Sequence, residues 1–408
     1  MAHVLAGGKD EKNPKRVEKN LSVSFSEKEN DPMRRTDGVF GRYLASGKRL
    51  PVVMLACNRP IAMREALSSL LNAGIQVEDI AVAQDGTDAA VTAVAKEFGV
   101  QVRRNGLQHG HRDGAARIAA NYGDALRWAI EERFPEAPGV IIVEDDLLFS
   151  PDFGQYFNEV AAPLLDTDPT VFVVSAWNDN GFFAQADKRE LRRSVWFPGL
   201  GWLLPRHLWI HELGPKWPKS HWDHWLRDKK QHKGRETVYP AVPRTYHNGA
   251  QGTFMDSWHH QKYFQPIQYN IDHSFFWESH NYLSVVRDTY ESNLRTRISN
   301  AIHIASFHDL PQHHNTPIVF WYGWKPNDQA SPFRPPAFIC LAEPFHLWHE
   351  FQRTDHNGLH FALYQAQPLF LINSYTSKYA AIKPDHIKPL TLSACPQRSW
   401  RDLGRGER

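Results

Sequence analysis

The chain has 408 residues, of which 42% are hydrophobic, 23% are charged and 12% are aromatic. These proportions are typical of a globular protein and exclude a collagen-like, coiled-coil or wholly disordered chain. The 47 basic and 45 acidic residues give a formal net charge of +2. Because a nucleic-acid backbone or an anionic membrane attracts a field of positive charge that this chain lacks, we expect no nucleic-acid partner.

Cysteine content and hydropathy restrict the class further. Cys57, Cys340 and Cys395 can form at most one disulfide, which excludes a disulfide-stapled scaffold and a four-cysteine zinc site. No uncharged apolar run approaches the roughly 20 residues that span a bilayer, and the N-terminus lacks the apolar core of a signal peptide. We therefore expect no transmembrane segment in this chain.

The composition divides the chain into three segments. Residues 1–48 are polar and show no hydrophobic period, which predicts a disordered or stalk-like leader. Residues 49–300 are predicted to form the main α/β domain. Residues 301–408 are predicted to form a smaller β-rich module of unknown role, because Asn357–Gly358 is a hairpin turn signal followed by the alternating Leu359, Phe361 and Leu363.

Short apolar strands alternate with helices in the first half of the main domain. Strands are predicted at 51–57, 80–83, 100–103, 139–143 and 171–174. The run 139–143 is wholly apolar, as expected of a central parallel strand that is covered on both faces. This alternation predicts an α/β fold with a parallel sheet, whereas the Pro-, Gly- and Trp-rich stretch from 181 to about 260 is predicted to be irregular.

Polar side chains follow each predicted strand. Arg59 follows the first strand, Asp85 the second, the acidic run 144–146 the fourth and Asp179 the fifth. Because ligands of open parallel sheets bind beyond the carboxyl ends of the strands, these residues are expected to converge on one rim. The two common glycine-rich phosphate loops are missing from the sequence, so a diphosphate held here would need a metal and an arginine.

The acidic run consists of Glu144, Asp145 and Asp146. Carboxylate oxygens at this position favour Mg²⁺ or Mn²⁺, which would bridge phosphate oxygens. The alternative is structural, because the same acids could cap a helix or form a ring of paired carboxylates.

Asp223 lies among tryptophans, between Trp222 and Trp225. Indoles on both sides would remove water from the carboxylate and raise its pKa, which suits a general base that accepts a proton from a hydroxyl. The alternative is an ion pair with Arg227, one helical turn further on.

The histidine-rich stretch containing His303, His308, His313 and His314 could suggest zinc. Its spacing fits neither a catalytic nor a structural zinc site, and the alternative is a solvated loop.

A series of motifs, in order, resembles family 13 glycosyltransferases, which include N-acetylglucosaminyltransferases acting on mannose. The motifs extend over residues of about 50 to 265. They are ACNRP (56–60), QDG (84–86), VEDDL (143–147), SPDF (150–153), SAWNDNG (175–181), FPGLGW (197–202), PKWPK (215–219), WD (222–223), KGR (233–235) and RT (244–245).

The resemblance implies a GT-A (Rossmann-like) nucleotide-sugar-binding domain over residues 49–300. It also implies UDP-N-acetylglucosamine as donor, Mn²⁺ as cofactor, a mannose-bearing glycan or glycoprotein as acceptor, inversion at the anomeric carbon, and a Golgi location.

The site residues that the resemblance implies fall into four groups. They are Arg59, Asp85 and Asp145 for the nucleotide; Asp146 for the metal; Glu144, Leu200 and Trp222 for the donor sugar; and Asp223 for the catalytic base.

Two positions depart from the family pattern. Asn121 stands where the family carries a histidine against the nucleotide, and Thr253–Phe254 where it carries a serine. Both affect nucleotide contacts, so a GT-A transferase of another UDP-sugar remains an alternative, as does a non-catalytic glycan-binding protein. The acceptor could be a mannose of an N-glycan, an O-mannose or a glycolipid.

Overall fold

The computed structural model describes residues 38–105, 113–250, 252–313, 315–325, 336–350 and 352–391. Its first element is a helix, Val39–Ala45, within the predicted leader. Phe40 is buried in the main core, and the Asp166 carboxylate accepts hydrogen bonds from the backbone N–H groups of Phe40 and Gly41 at 3.1 and 2.7 Å. The leader prediction is therefore wrong for residues 39–45, while residues 1–37 lie outside the described ranges.

The strands of the described ranges are numbered here in chain order. They are β1 (Val52–Ala56), β2 (Ile80–Asp85), β3 (Gln101–Asn105), β4 (Gly139–Glu144), β5 (Leu147–Phe149), β6 (Val171–Ser175), β7 (Leu191–Ser194), β8 (Trp202–Pro205), β9 (Glu236–Pro240), β10 (Thr245–His247), β11 (Ile302–Ile304), β12 (Ile318–Tyr322), β13 (Leu359–Tyr364) and β14 (Gln367–Asn373).

The α-helices are numbered in the same way. They are α1 (Val39–Ala45), α2 (Pro60–Asn72), α3 (Ala89–Glu97), α4 (Gly114–Arg127), α5 (Phe153–Gln155), α6 (Ala162–Thr167), α7 (Arg206–Leu208), α8 (Trp222–Arg227), α9 (Lys229–His232), α10 (Ser257–His259), α11 (Arg287–Ser299) and α12 (Pro336–Ala342). Turns of π-helix occur at Trp128–Arg133, Tyr156–Ala161, Trp209–Leu213 and His260–Phe264. Short 3₁₀ turns occur at Val77–Asp79, Gly214–Lys216, Asn281–Val285, Phe307–Asp309 and Ala380–Ile382. None of the helices in the described ranges has the length and hydropathy needed to cross a membrane.

The main sheet has eight strands in the order β3-β2-β1-β4-β8-β6-β9-β7. Strand β1 pairs in parallel with β2 and β4, and β2 pairs in parallel with β3. Every residue of β1 is buried, as are the apolar residues of β4, because helices cover both faces of a parallel sheet. These pairings confirm the predicted α/β class with a parallel sheet at its centre.

The sheet is mixed beyond β4. Strand β8 is antiparallel to both β4 and β6, and β7 is antiparallel to β9. Strands β7, β8 and β9 fall in the Pro-, Gly- and Trp-rich stretch from 181 to about 260, for which the sequence predicted no strand. They have only four or five residues each, which leaves too short a run for a period to be recognised.

A second sheet has the order β11-β12-β14-β13 and confirms the predicted small β-rich region near the C-terminus. The hairpin of β13 and β14 turns at Gln365 and Ala366, whose φ angles are 49° and 61°. Asn357 and Gly358, with φ of 52° and 80°, form a turn before β13 and not within the hairpin. The position predicted for the hairpin turn is therefore wrong, although Asn-Gly does occupy the left-handed conformations it favours.

The second sheet shares its core with the main sheet. Trp321 and Phe370 of the second sheet belong to the same hydrophobic cluster as Met54 and Val143 of the main sheet. The boundary near residue 300 stays a prediction.

Buried charges also join the two regions. Arg193 has no exposed side-chain surface, and its guanidinium lies 2.9 Å from Glu236 Oε2 and 2.7 Å from Asp168 Oδ2. His356, likewise without exposed side-chain surface, lies 3.0 Å from both Glu236 and Glu291. Since an unpaired buried charge costs several kcal/mol, on the order of 3 to 5, this network depends on all of its members.

We expect the His356 network to make stability fall as pH rises. Burial disfavours the charged ring, but the hydrogen bonds to Glu236 and Glu291 outweigh burial and raise the pKa of His356. Burial also raises the pKa of Asp355 to about 6. A group whose folded pKa is raised stabilises the fold fully below its unfolded pKa, roughly 6.5 for histidine, and loses that contribution as pH rises through the folded pKa.

The substitution His356→Gln tests this expectation. Urea unfolding should show a larger loss of free energy of unfolding near pH 6 than near pH 8.5, because the mutant lacks the proton that the wild type binds. The exposed His308→Gln should lose little at either pH. An equal loss for His356→Gln at both pH values would contradict the expectation.

Candidate active site

The carboxyl ends of β1, β2 and β4 form one rim, because the three strands are adjacent and parallel. The acidic run leaves the end of β4, where the backbone N–H of Asp145 donates to Leu55 O of β1 at 3.0 Å. Asp145 and Asp146 are 1% and 5% exposed. The structure therefore places the predicted acids beside Arg59, as the strand-end argument requires.

Arg59 bridges two of these acids. Its Nη1 lies 2.5 Å from Asp146 Oδ2, and its Nη2 donates to Asp145 Oδ1. Neighbouring buried carboxylates repel one another, and the guanidinium offsets that repulsion. Burial nevertheless raises the pKa of Asp145 to about 6, against the influence of Arg59. The guanidinium predicted to bind the nucleotide is thus paired with the acids.

Glu144 is bound from the opposite side. The Tyr122 hydroxyl of α4 donates to Glu144 Oε1 at 2.6 Å. Removal from water, together with the charge of Asp146, raises the pKa of Glu144 to about 7. Glu144 is therefore partly protonated at neutral pH, and a cation placed beside it would favour release of that proton.

Asp146 is the acid with unused binding capacity. Its Oδ1 is buried and has no hydrogen-bond partner within the described ranges, while its Oδ2 lies 3.5 Å from His247 Nε2. A Cβ at Gly249 would come within 2.5 Å of Asp146 Oδ2, so the chain approaches the carboxylate as only glycine allows. His247 and Gly249 were not predicted, because β10 is distant in sequence from the acids.

The described residues contain no cluster of three or more His, Cys, Asp or Glu side chains that could hold a metal ion. Within the acidic run, the available carboxylate oxygen is Oδ1 of Asp146. That oxygen fits Mg²⁺ or Mn²⁺ bound with a nucleotide, because such hard cations take most of their remaining ligands from phosphates and water.

Asp85 lies at the end of β2 and is paired with an arginine that was not predicted. Arg117 Nε of α4 lies 2.8 Å from Asp85 Oδ2, while Asp85 Oδ1 is buried without a partner among the described atoms. Nearby, Asn121 Oδ1 accepts a hydrogen bond from Asn105 Nδ2 at 3.1 Å. Of the residues predicted to bind the nucleotide, Asp85 therefore lies at the carboxyl end of β2, and Asn121, within α4, is hydrogen-bonded to Asn105 at the carboxyl end of β3.

Trp222 forms the centre of an aromatic stack. Its ring lies 4.0 Å from that of Tyr122, 6.2 Å from Trp202 and 6.1 Å from Trp217, all in stacked orientation. Since Tyr122 also binds Glu144, the stack connects the start of α8 to the acidic rim. Two of the predicted donor-sugar residues, Glu144 and Trp222, are thus joined through one tyrosine.

Leu200 lies in a strained turn between two glycines. Its φ is 50°, and Gly199 and Gly201 have φ of 72° and 94°. A leucine in the left-handed region costs about 1 to 2 kcal/mol. The Thr245 hydroxyl donates to Leu200 O at 2.7 Å, and Ser175 Oγ donates to Gly199 O at 2.8 Å. These hydrogen bonds hold the turn that presents Leu200, a pattern found at ligand sites.

Asp223 is paired, and the expectation of a raised pKa is wrong. Burial alone would raise the pKa, but Arg227 Nη1 lies 2.6 Å from Asp223 Oδ2, and its positive charge lowers the pKa below the usual value. The alternative drawn from helical spacing, an ion pair with Arg227 one turn on, is what the structure contains. Asp223 therefore stays ionised well below neutral pH.

The remaining predicted residues lie at the edge of the site or outside it. Phe254 is 69% exposed, with its ring 6.5 Å from that of His221. In the histidine-rich stretch, His303 Nδ1 accepts a hydrogen bond from Trp321 Nε1 at 3.0 Å, and His308 is exposed. His314 lies outside the described residues.

Comparison with known proteins gives a family match. The sequence profile of the GNT-I family matches residues 42–315. An Arabidopsis thaliana protein named alpha-1,3-mannosyl-glycoprotein 2-beta-N-acetylglucosaminyltransferase is 37% identical over 245 residues, which cover 56% of this chain and 53% of the relative. The chain therefore spans about half the length of this curated relative.

Likenesses to solved structures are weaker. S. aureus TarS 1–349 is 13% identical, with a TM-score of 0.36 over 50% of this chain and 61% of that chain. The mannosyltransferase PcManGT from Pyrobaculum calidifontis, solved with GDP-Man and Mn²⁺, is 16% identical, with a TM-score of 0.30 over 48% of this chain and 58% of that chain. At such scores we draw nothing further from these likenesses.

The turn at Leu200 leads to a stability prediction. At Gly201, with φ of 94°, a Cβ would lie 2.8 Å from Thr245 Cγ2. At Gly234, with φ of 79°, nothing lies within 4 Å of such a Cβ. Gly201→Ala should therefore lose more free energy of unfolding than Gly234→Ala, by about 1 to 3 kcal/mol. Both alanines would be strained by the positive φ, but only the one at position 201 would also clash with a neighbouring side chain. Equal losses in urea unfolding would show that the turn yields easily.

Proposed function

Since the chain belongs to the GNT-I family, we propose that it is an inverting glycosyltransferase that transfers N-acetylglucosamine from UDP-N-acetylglucosamine to a hydroxyl of a mannose-type acceptor. The observation that carries the proposal is the rim itself: Asp146 offers a buried carboxylate oxygen beside Arg59, next to the stack that contains Trp222. We propose a glycan or glycoprotein as acceptor, and the Golgi lumen as compartment from family membership alone.

The nucleotide part of the donor is proposed to lie over the ends of β1 to β3. Arg59 would exchange its two carboxylates for the diphosphate, since its planar fork matches phosphate oxygens in pairs. Asp145, left without that guanidinium, would accept hydrogen bonds from ribose hydroxyls. Asp85 and Asn121 would contact the uridine, in keeping with the place of Asp85 at the end of β2 and the hydrogen bond of Asn121 to Asn105 at the end of β3.

Asp146 is proposed as the protein ligand of a divalent cation, Mn²⁺ in the family pattern. The cation would neutralise the diphosphate and so make UDP a better leaving group. Arg59 now supplies the positive charge beside Asp146, and the Gly249 backbone would keep the carboxylate in place on that side. The fit rests on the unpartnered Oδ1 of Asp146 and not on a multidentate cluster.

The donor sugar is proposed to lie between the acidic rim and the Leu200 turn. Glu144, with a pKa of about 7, can accept or donate a hydrogen bond with a sugar hydroxyl. Trp222 provides an apolar wall, and Leu200 packs from the turn between Gly199 and Gly201. Aromatic and aliphatic surfaces of this kind suit the C–H faces of a sugar ring.

Asp223 is proposed to be the general base. As the acceptor oxygen forms its bond to the anomeric carbon, the bond from that carbon to the UDP oxygen breaks and UDP leaves with the electron pair. The acceptor proton passes to an Asp223 carboxylate oxygen, so atoms and charges balance. Because Arg227 lowers the pKa of Asp223, the carboxylate is available over the neutral range, and its ion pair fixes the direction of the accepting oxygen.

The altered nucleotide contacts leave a related activity to be tested. Asn121 stands where the family carries a histidine against the nucleotide, and its Oδ1 accepts a hydrogen bond from Asn105 Nδ2. A GT-A transferase of a different UDP-sugar therefore remains the second candidate. Turnover of a panel of UDP-sugars against mannose-terminated acceptors, with mass analysis of the products, would separate the two.

We predict that metal-dependent UDP binding depends on Asp146. Asp146→Asn should lose Mn²⁺-dependent UDP binding by calorimetry, about tenfold or more, because the amide cannot act as an anionic ligand. Gly249→Ala should lose it too, since its Cβ would come within 2.5 Å of Asp146 Oδ2. Gly252→Ala is the matched control, because its Cβ meets only Met255 Cβ at 3.6 Å. Unchanged binding in the first two variants would remove the metal assignment.

We predict that Asp223→Asn separates chemistry from binding. The amide keeps the shape but cannot take the proton, so turnover should fall by roughly 10²-fold or more while the affinity for UDP is retained. Asp228→Asn, which changes an exposed helix cap, serves as the control and should keep near-normal turnover. The product must be β-linked by NMR; an α-linked product, or an Asp223→Asn variant of near-normal rate, would contradict the role of Asp223.

A further inference from the structure

A segment near the C-terminus, residues 347–355, reaches the neighbourhood of Asp223 although it lies beyond the residues 42–315 that the family profile matches. Its described part packs on the loop that follows β6. The Trp348 backbone N–H donates to Asn180 Oδ1 at 2.7 Å, and Asn180 Nδ2 donates to Thr354 Oγ1 at 2.7 Å. This segment is therefore fixed to the catalytic sheet from both of its ends.

Arg353 of this segment binds a buried carboxylate. Its Nη1 lies 2.8 Å from Asp179 Oδ1, and Asp179 is 1% exposed. Asp179 also accepts from the indole N–H groups of Trp196 at 2.7 Å and of Trp177 at 3.2 Å. Arg353 thus supplies a cation to a carboxylate that holds Trp196 in place, and without it that buried charge would be short of a partner.

Trp196 in turn contacts the arginine that pairs with Asp223. The Arg227 guanidinium lies 4.2 Å from the Trp196 ring centre, and the Arg353 guanidinium lies 5.6 Å from it. Arg353 is itself stacked on Trp348 at 3.5 Å. Arg227 is also fixed by its Nε, which donates to Phe197 O at 3.0 Å. Cation–π and hydrogen-bond contacts therefore run continuously from Arg353 to Asp223.

We infer that Arg353 is a positioning residue for Asp223, acting through Asp179, Trp196 and Arg227. The inference rests on the proposed function only in taking Asp223 as the base. It gives the C-terminal segment a role in the site: the segment keeps Arg227 on Asp223 by occupying the competing carboxylate, Asp179.

The competition between the two carboxylates is the physical basis of this role. Arg227 is attracted by both Asp223 and Asp179 and is repelled by Arg353. With Arg353 present, Asp179 is already neutralised, and Arg227 remains with Asp223. Without Arg353, the buried Asp179 would draw Arg227 towards itself, so Asp223 would lose both its fixed direction and part of the positive charge that keeps it ionised.

Two other titratable groups lie near Asp223, one on α8 and one on α4. His224 lies next to it on α8, with Nε2 4.0 Å from Asp223 Oδ2, and the Tyr122 hydroxyl of α4 is near enough to feel its charge. Burial lowers the pKa of His224, and the positive charge of Arg353 also lowers it. Removal of Arg353 would therefore favour a protonated His224, whose charge lowers the pKa of Asp223. An effect through His224 would move the acid limb of kcat to lower pH, so a shift to higher pH identifies the route through Arg227.

The experiment compares Arg353→Gln, Arg353→Lys and Arg297→Gln in the full chain with Mn²⁺. Arg297 is the matched control, because it also pairs with a carboxylate, Glu190 at 3.2 Å, and lies over an aromatic ring, Phe370 at 5.1 Å. For Arg353→Gln we expect kcat to fall about tenfold with the donor KM within about twofold, the scale of one lost positioning contact.

The pH profile distinguishes positioning from a merely structural role. In Arg353→Gln the acid limb of kcat should move to higher pH by roughly 0.5 unit, because Asp223 loses positive charge from its surroundings. Arg353→Lys keeps the charge and should restore the position of that limb. Arg297→Gln should leave both rate and profile as in the wild type.

A second measurement does not need turnover. The ¹³C carboxyl resonance of Asp223, assigned by comparison with Asp223→Asn, should titrate at higher pH in Arg353→Gln than in the wild type. A wild type inactive with UDP-N-acetylglucosamine would refute the proposed function and leave this titration as the test of the contact. An Asp223 titration and a pH profile that are unchanged in Arg353→Gln, or a rate loss shared equally by Arg297→Gln, would overturn the inference.

Discussion

The acids at the end of β4 impose the main constraint on this structure. An apolar central strand carries Glu144, Asp145 and Asp146 into a position with little water, where each carboxylate needs a partner. Arg59, between β1 and α2, and Tyr122, within α4, provide partners. Asp146 Oδ1 is left buried without a partner among the described residues, and this oxygen is the one that we propose as the ligand of the cation.

The sequence predicts those parts of this site that depend on the order of strands and on helical spacing. Placement of Arg59, Asp85 and the acids on one rim follows from strand ends in a parallel sheet, and helical spacing already offered the Asp223–Arg227 pair. Contacts between segments that are distant in sequence could not be predicted in this way. His247 approaches Asp146 from a short antiparallel strand, and the strands around it are too short to show a hydrophobic period.

The C-terminal sheet is part of the same physical unit as the site. It shares apolar packing with the main sheet, and Glu236 of β9 pairs with both Arg193 and His356. Because these groups are buried and mutually neutralising, the two sheets are bound by charge as well as by apolar contact. The matched family region ends at 315, whereas the contacts that surround Asp223 continue to Arg353.

The stack around Trp222 has an optical consequence. The rings of Tyr122, Trp202 and Trp217 lie nearly parallel to that of Trp222, with centres 4.0 to 6.2 Å from the Trp222 ring centre. At such separations the electronic transitions of aromatic rings couple, and the coupled transitions give near-ultraviolet circular dichroism whose sign and size depend on the angles between the rings. Trp222 begins the helix that carries Asp223, so the near-ultraviolet circular dichroism of the chain should report how that helix is oriented.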